Sequence, residues 1–321
     1  MKNPFAYAVM ALAAMFAAPL SVAPAQAAPA EVRVAMLAPS SLLWLHAIAK
    51  DRGFYTENGI EVRELRASGS PALLQAVASG SADAGFSLGD LAARAIDKGA
   101  EIVIAGALLD KALLRFYGAP GIEKMSDFAG KKLTAGAVRG GTANLLKYQL
   151  KQAGVDPNSV SLVSIANSRD RIIAMGNGQV QGALLIPPYG TLAEQAGAKL
   201  LDVYREPYVE TPLVYSKAWA AANPKAARGL AQALKKAAAF INDPANKDAS
   251  IDILCTFTKI DRPVGEASYA FAIEQQKAIQ PDLSMSEAAL TNIYKIDAAV
   301  GGEGMPQAFD LKRYYDPSFI R

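Results

Sequence analysis
The chain has 321 residues, 51% of them hydrophobic and 20% charged, with 33 Lys and Arg against 30 Asp and Glu. A net charge of +3 is too small to mark nucleic acid or an anionic membrane surface as partner. One cysteine, Cys255, and one histidine, His46, exclude an intramolecular disulfide and metal sites built from several Cys and His. They also leave any His-based triad without a G-x-S-x-G setting. No metal, no cofactor and no catalytic residue is expected.

The first 27 residues read as a signal peptide. Lys2 gives a positive start, residues 5–20 are apolar, and Ala25-Gln26-Ala27 is an A-x-A cleavage signal. Pro19 interrupts the apolar run, which is short for a membrane span. With cleavage after Ala27, an exported chain of roughly 290 residues suits two domains better than one.

Residues 31–37 alternate and read as a first strand, followed by a turn at Ala38-Pro39-Ser40-Ser41. A helix over 42–52 stops at Gly53, and His46 inside it reads first as a packed helix residue. Residues 59–65 form a second alternating strand. Ser68-Gly69-Ser70-Pro71 then opens a helix, with proline where a first turn accepts it. A short strand over 82–86 leads through Ser87-Leu88-Gly89-Asp90 into the next helix. Such alternation predicts a mainly parallel sheet with helices on both faces.

The plan then repeats. Residues 71–80 align with 169–178 at an offset of 98, each a short helix closed by glycine, and Gly99-Ala100 aligns with Gly197-Ala198 before an apolar strand. The second unit has strands at 131–135, 160–164 and 182–186, with helices starting near Thr142 and Ser168. From residue 217 the chain reads as helices at 224–241, 247–257, 264–278 and 286–298. The expected organisation is one lobe of residues 28–114 plus 213–321 and a second of 115–212. Extended crossings near 113–117 and 212–216 form the hinge, with Arg115 and Tyr215 on it.

In open α/β sheets, ligands sit beyond the carboxyl ends of the strands, and clefts between domains are common binding sites. Six loops occupy that position. The first lobe contributes Ser40, Ser41 and Leu42, then Ser68 and Gly69, then Ser87, Leu88 and Gly89. The second contributes Arg139, Gly140, Gly141 and Thr142, then Asn167, then Pro188 and Tyr189. Hydroxyls and helix N-termini accept anionic oxygens, glycines admit close backbone approach, and an arginine suits a carboxylate or sulfonate. Trp44 joins Leu42, Leu88 and Tyr189 as a prospective apolar wall. Each serine is equally readable as an ordinary helix cap, Trp44 as core, Arg115 as part of an interlobe salt bridge, and Arg139 as a solvated surface charge.

The chain resembles the periplasmic solute-binding proteins of ABC importers, in the nitrate/sulfonate/taurine branch, also described as thiamine-pyrimidine-synthase-like. The resemblance lies in residues 49–62 (AKDRGFYTENGIEV), 78–85 (ASGSADAG), 125–133 (MSDFAGKKL) and 178–183 (GQVQGA). Gln181 stands where that pattern usually has Asp. The resemblance implies a type II periplasmic binding protein: two α/β lobes on a two-strand hinge, closing on a small-molecule solute without chemistry. It implies a membrane permease as partner. The reading is a monomer that captures a small organic anion of sulfonate or carboxylate type. The alternatives are a neutral pyrimidine-like or aromatic solute, or an exported ligand sensor. The enzymes of thiamine-pyrimidine synthesis are rich in Cys and His, which this chain is not.

Overall fold
The computed structural model describes residues 28–321; the expected signal peptide lies outside the described residues. The first α/β unit runs β1 (Ala30–Met36), a 3-10 turn (Ser41–Leu43), α1 (Trp44–Asp51), α2 (Phe54–Glu57), β2 (Ile60–Arg66), α3 (Ser70–Ala78), β3 (Ala84–Phe86), α4 (Gly89–Asp97) and β4 (Ile102–Lys111). The second runs β5 (Arg115–Gly118), β6 (Lys132–Thr134), α5 (Gly141–Gln152), β7 (Ser161–Val163), α6 (Ser168–Gly176), β8 (Gly182–Leu185), α7 (Tyr189–Gln195) and β9 (Lys199–Val203). The chain then returns through β10 (Pro207–Ser216), α8 (Lys217–Ala222), α9 (Pro224–Asn242), α10 (Lys247–Thr258) and α11 (Arg262–Tyr269). It ends with α12 (Glu287–Ala299) and α13 (Leu311–Tyr314).

Two five-stranded sheets result, ordered β2-β1-β3-β10-β4 and β7-β6-β8-β5-β9. Each has three parallel strands, β1 between β2 and β3 and β6 between β7 and β8. In each, an antiparallel strand occupies the fourth place, β10 in the first and β5 in the second. Both of these strands are reached directly after a crossing between lobes, so each crossing feeds a central strand of the sheet it enters. The repeat at offset 98 is this equivalence seen in sequence. α3 and α6 follow the second parallel strand of their lobes, and each ends before a glycine at positive φ, Gly80 (76°) and Gly178 (70°).

The helices over 224–258 pack on the first lobe because their apolar stripes face it. Leu230, Leu234, Ala237, Ala238 and Ile241 of α9 are fully buried. A smaller core of Tyr117, Met175, Val180, Leu185 and Ala193 backs one face of the second sheet.

The crossings are residues 112–114 and 204–206. The first shares only residues 113–114 with the expected stretch near 113–117, because β5 begins at Arg115. The second lies earlier than 212–216, because β10 already begins at Pro207 and pairs with β4 from there to Ser216. Residues 207–212 therefore lie in the first sheet, against the expected boundary at 213. Pro212 lies within this strand, where the pairing with β4 shifts register on either side of it. Tyr215 accordingly sits inside the first lobe and not on the hinge. It is fully buried, its hydroxyl donates to Ala227 O at 2.7 Å, and its ring meets Trp219 and Phe319 edge-on.

Candidate ligand cleft
The carboxyl ends of β1 and β3 face those of β6 and β8, and the two lobes touch there directly. Ser41 donates to Pro187 O twice, from its backbone N at 3.3 Å and from Oγ at 2.7 Å. The Tyr189 hydroxyl donates to Pro39 O at 3.3 Å. Gly141 N, at the first turn of α5, donates to Asp90 Oδ2 at the first turn of α4, at 2.6 Å. Further out, Asn144 Nδ2 donates to Asp297 Oδ1 and Lys151 Nζ to Ala299 O, both at 2.7 Å, so α5 also clasps α12. The lobes stand closed on one another.

Four of the six candidate loops converge here. Ser40, Ser41 and Ser87 are buried, Leu42 and Leu88 half-buried. Ser87 N donates to Pro212 O at 3.2 Å, and its hydroxyl makes only a 3.5 Å bond to Leu88 O. Gly89 and Gly141 are needed for close approach. A Cβ at 89 would come within 2.0 Å of Val209 O, and one at 141 within 2.3 Å of Asp90 Cγ. Gly140 N closes its loop on Ala137 O at 3.0 Å, and the Thr142 hydroxyl donates to Ala135 O. Pro188 is buried, joined to Pro187 by a cis peptide, and Tyr189 is half-buried.

The other two loops stay outside. Ser68 is exposed, and Gly69 O accepts from Leu73 N in the first turn of its own helix. Asn167 is exposed and caps α6, its side chain accepting from Asp170 N at 3.0 Å. Arg139 is exposed and, among the described residues, makes no side-chain hydrogen bond or ion pair. Trp44 is core: 1% exposed, it donates from Nε1 to Ser250 O at 2.9 Å and meets Tyr269 edge-on. His46 packs within the first lobe, between the Tyr55 hydroxyl at 2.9 Å and Glu64 at 3.2 Å. Burial pushes its imidazole below the usual histidine range.

Besides Arg115, several cleft residues carry no signal in sequence. Asp90 is fully buried, and that burial raises its carboxyl above the usual range despite the Gly141 hydrogen bond. Glu210, buried on β10, accepts from Leu113 N in the first crossing and is pushed up to about 8 by burial. Arg171 is buried on α6 and donates to Ile165 O, Leu184 O and Ala166 O at 2.7–2.9 Å, tying together the ends of β7 and β8. Burial lowers it to about 10, with Glu210 opposing. Arg115 is buried on the second-lobe side of the crossing, 4.4 Å over the Phe271 ring and 3.8 Å from Glu194. Its Nε and Nη2, with the hydroxyls of Thr134 and Thr211, are buried without a hydrogen-bond partner among the described residues. Thr134 ends β6, and Thr211 lies near the cleft end of β10. The one available hint was a hydroxyl beside a turn or proline.

The cleft holds donors, buried acids and buried cations. Among the described residues no three His, Cys, Asp or Glu gather as a metal site. A separate surface cavity of about 490 Å³ lies on the first lobe beside Lys111, Tyr269 and Lys277.

Residues 46–247 match the family described as "NMT1/THI5 like". The chain belongs to this family. The matched span contains all four segments that carried the resemblance read from sequence. The chain is 26% identical over 240 residues to a protein of Brucella abortus named "Putative binding protein", covering 72% of each. A Brucella suis protein of the same description matches equally. Among solved structures, a Bordetella bronchiseptica protein superposes with a TM-score of 0.79 at 20% identity, covering 91% of this chain and 96% of that one. The alkanesulfonate-binding protein SsuA of Xanthomonas axonopodis pv. citri, bound to MOPS, gives 0.68 at 18% identity, covering 85% and 93%. The periplasmic nitrate-binding protein NrtA of Synechocystis PCC 6803 gives 0.70 at 14%, covering 91% and 87%. At these identities the likeness establishes the fold, the two-lobed one of periplasmic binding proteins.

Proposed function
We propose that this chain is the extracytoplasmic solute-binding component of an ABC importer, capturing a small organic acid of sulfonate or carboxylate type. It works as a periplasmic monomer, freed of its signal peptide after Ala27, and hands the solute to a membrane permease. It performs no chemistry on it. The observation that carries the reading is that cleft donors of both lobes are occupied by oxygens of the facing lobe. Ser41 N–H and O–H hold Pro187 O, and Gly141 N–H holds the Asp90 carboxylate. Opening frees these donors, and a solute with acid oxygens takes the place of the protein's own. A carboxylate at the first turn of α5 fits the partial positive charge of a helix start. The named solutes of SsuA and NrtA are oxyanions and agree with this chemistry.

A second reading rests on Asp90 and Glu210. Two buried acids in one cleft favour a neutral, N–H-bearing solute such as a pyrimidine-like ring. A thermal-shift screen of mature protein, unfolded and refolded to strip carried ligand, separates the two. A solute at 100 times its Kd adds about 2.7 kcal/mol of stability. Stabilisation by sulfonates or carboxylates supports the acid reading. Stabilisation by pyrimidines alone replaces it with the neutral one. No stabilisation by any member of a broad solute panel argues against both.

A further inference from the structure
The two crossings are touched by a third segment, and by one side chain in particular. After α11 the helix widens into a single π-helical turn, Ala270–Gln275, and Gln276 follows it. Gln276 is 3% exposed. Its Nε2 donates to Ala112 O in the first crossing at 3.1 Å and to Tyr204 O in the second at 2.9 Å. One amide nitrogen thus serves both connections between the lobes. Only an amide side chain carries two N–H donors on one uncharged nitrogen.

The surrounding backbone is built to deliver it. Lys277 adopts φ 49°, a left-handed conformation that costs a non-glycine residue energy. The same π-helical turn places Phe271 under the Arg115 guanidinium at 4.4 Å, on the first residue beyond the crossing. The segment itself is anchored to the first lobe, where Asp110 N in β4 donates to Ala278 O at 2.9 Å. π-helical turns cluster where function demands irregular geometry.

We propose that Gln276 is the positioning residue of the hinge. By holding Ala112 O and Tyr204 O on one nitrogen it couples the two crossings, so that they rotate together and the lobes close along one path. Two uncoupled strands would each twist independently and let the lobes splay. The inference rests on the two-lobe fold and is independent of which solute binds.

The test reads interlobe distance. Spin labels are placed on cysteines at exposed positions of the second and first lobes, Lys131→Cys and Lys217→Cys, in a Cys255→Ser background. The protein so labelled should give one narrow distance distribution. Gln276→Met keeps the length of the side chain without its donors and should broaden that distribution at least twofold. Gln276→Glu, which keeps the shape but loses the donors, should do the same. Val264→Ala removes buried volume from neighbouring α11 and should lower Tm without changing the width. Should Gln276→Met fail to fold, Gln276→Asn, whose shorter stem reaches only one carbonyl, carries the comparison. Equal widths in the parent and the Gln276 variants overturn the proposal. Equal broadening by Val264→Ala overturns it too, by reducing Gln276 to ordinary core.

Discussion

Asp90 in the first lobe and Gly141 in the second are joined across the cleft by a 2.6 Å hydrogen bond, carboxylate oxygen to helix-start N–H. The protein therefore fills its own anion seat in the closed state, and an acidic solute must compete with Asp90 for it. Asp90→Asn keeps an oxygen for Gly141 N and removes the charge. Acidic solutes should then bind about 5–10-fold more tightly, about 1–1.4 kcal/mol, and N–H-bearing neutral solutes less tightly. Titration calorimetry with one solute of each class reads both changes. Weaker acid binding in the variant would show that Asp90 helps to hold the solute.

Ser41 and Tyr189 contribute two further interlobe bonds, to Pro187 O and Pro39 O. Ser41→Ala and Tyr189→Phe each delete one hydroxyl without deleting bulk. Each should weaken solute capture by about 0.5–1.5 kcal/mol, the net worth of a neutral hydrogen bond. Both act on the same pair of loops, so the double variant should depart from additivity. Additive losses would place the two hydroxyls on separate events.

Glu210 imposes a pH dependence of known sign. Its folded-state carboxyl titrates at about 8 because burial disfavours the charge, whereas the unfolded carboxyl titrates near an ordinary glutamate. Between those values the folded state binds the extra proton, so stability falls as pH rises from about 4.5 through about 8. Asp110, raised to about 6 by burial, adds to the lower part of that window. Glu210→Gln should flatten the fall between pH 6 and 8, where the slope per proton approaches about 1.4 kcal/mol per pH unit. Denaturant unfolding at pH 6, 7 and 8 measures it. An unchanged slope would assign the dependence to other groups.

The lobe plan was legible because it is written locally. α3 and α6 share an offset, a length and a terminal glycine, and the parallel strands alternate or run apolar. The second crossing was not, because residues 204–206 carry no period and the extended run over 212–216 that was expected to cross is the end of a sheet strand. The convergence of four loops between the lobes follows the serine, glycine and helix-start signals from which they were picked. Ser68 and Asn167 carry the same signals and remain outside, since a cap and a ligand contact use the same residue types. Arg171 and Glu210 were invisible for the opposite reason. Their burial depends on three backbone carbonyls and on a crossing strand, all supplied by distant parts of the chain. Trp44 looked like a cleft wall because an aromatic beside a turn does not reveal which face of the helix meets the core.

Trp44 and Arg139 therefore separate core from cleft in one experiment. Trp44→Ala removes a fully buried ring and the bond to Ser250 O, and should cost about 3–5 kcal/mol of stability. Arg139 is exposed beside the start of α5, so Arg139→Ala should leave stability within about 0.5 kcal/mol. An exposed charge at the cleft mouth acts on approach more than on residence. With an acidic solute, Arg139→Ala should slow association and weaken its dependence on salt, with dissociation nearly unchanged. Stopped-flow kinetics at low and high ionic strength resolves the two rates. A faster dissociation would bring Arg139 into contact with the bound solute, on a loop that must then fold inward from its exposed position.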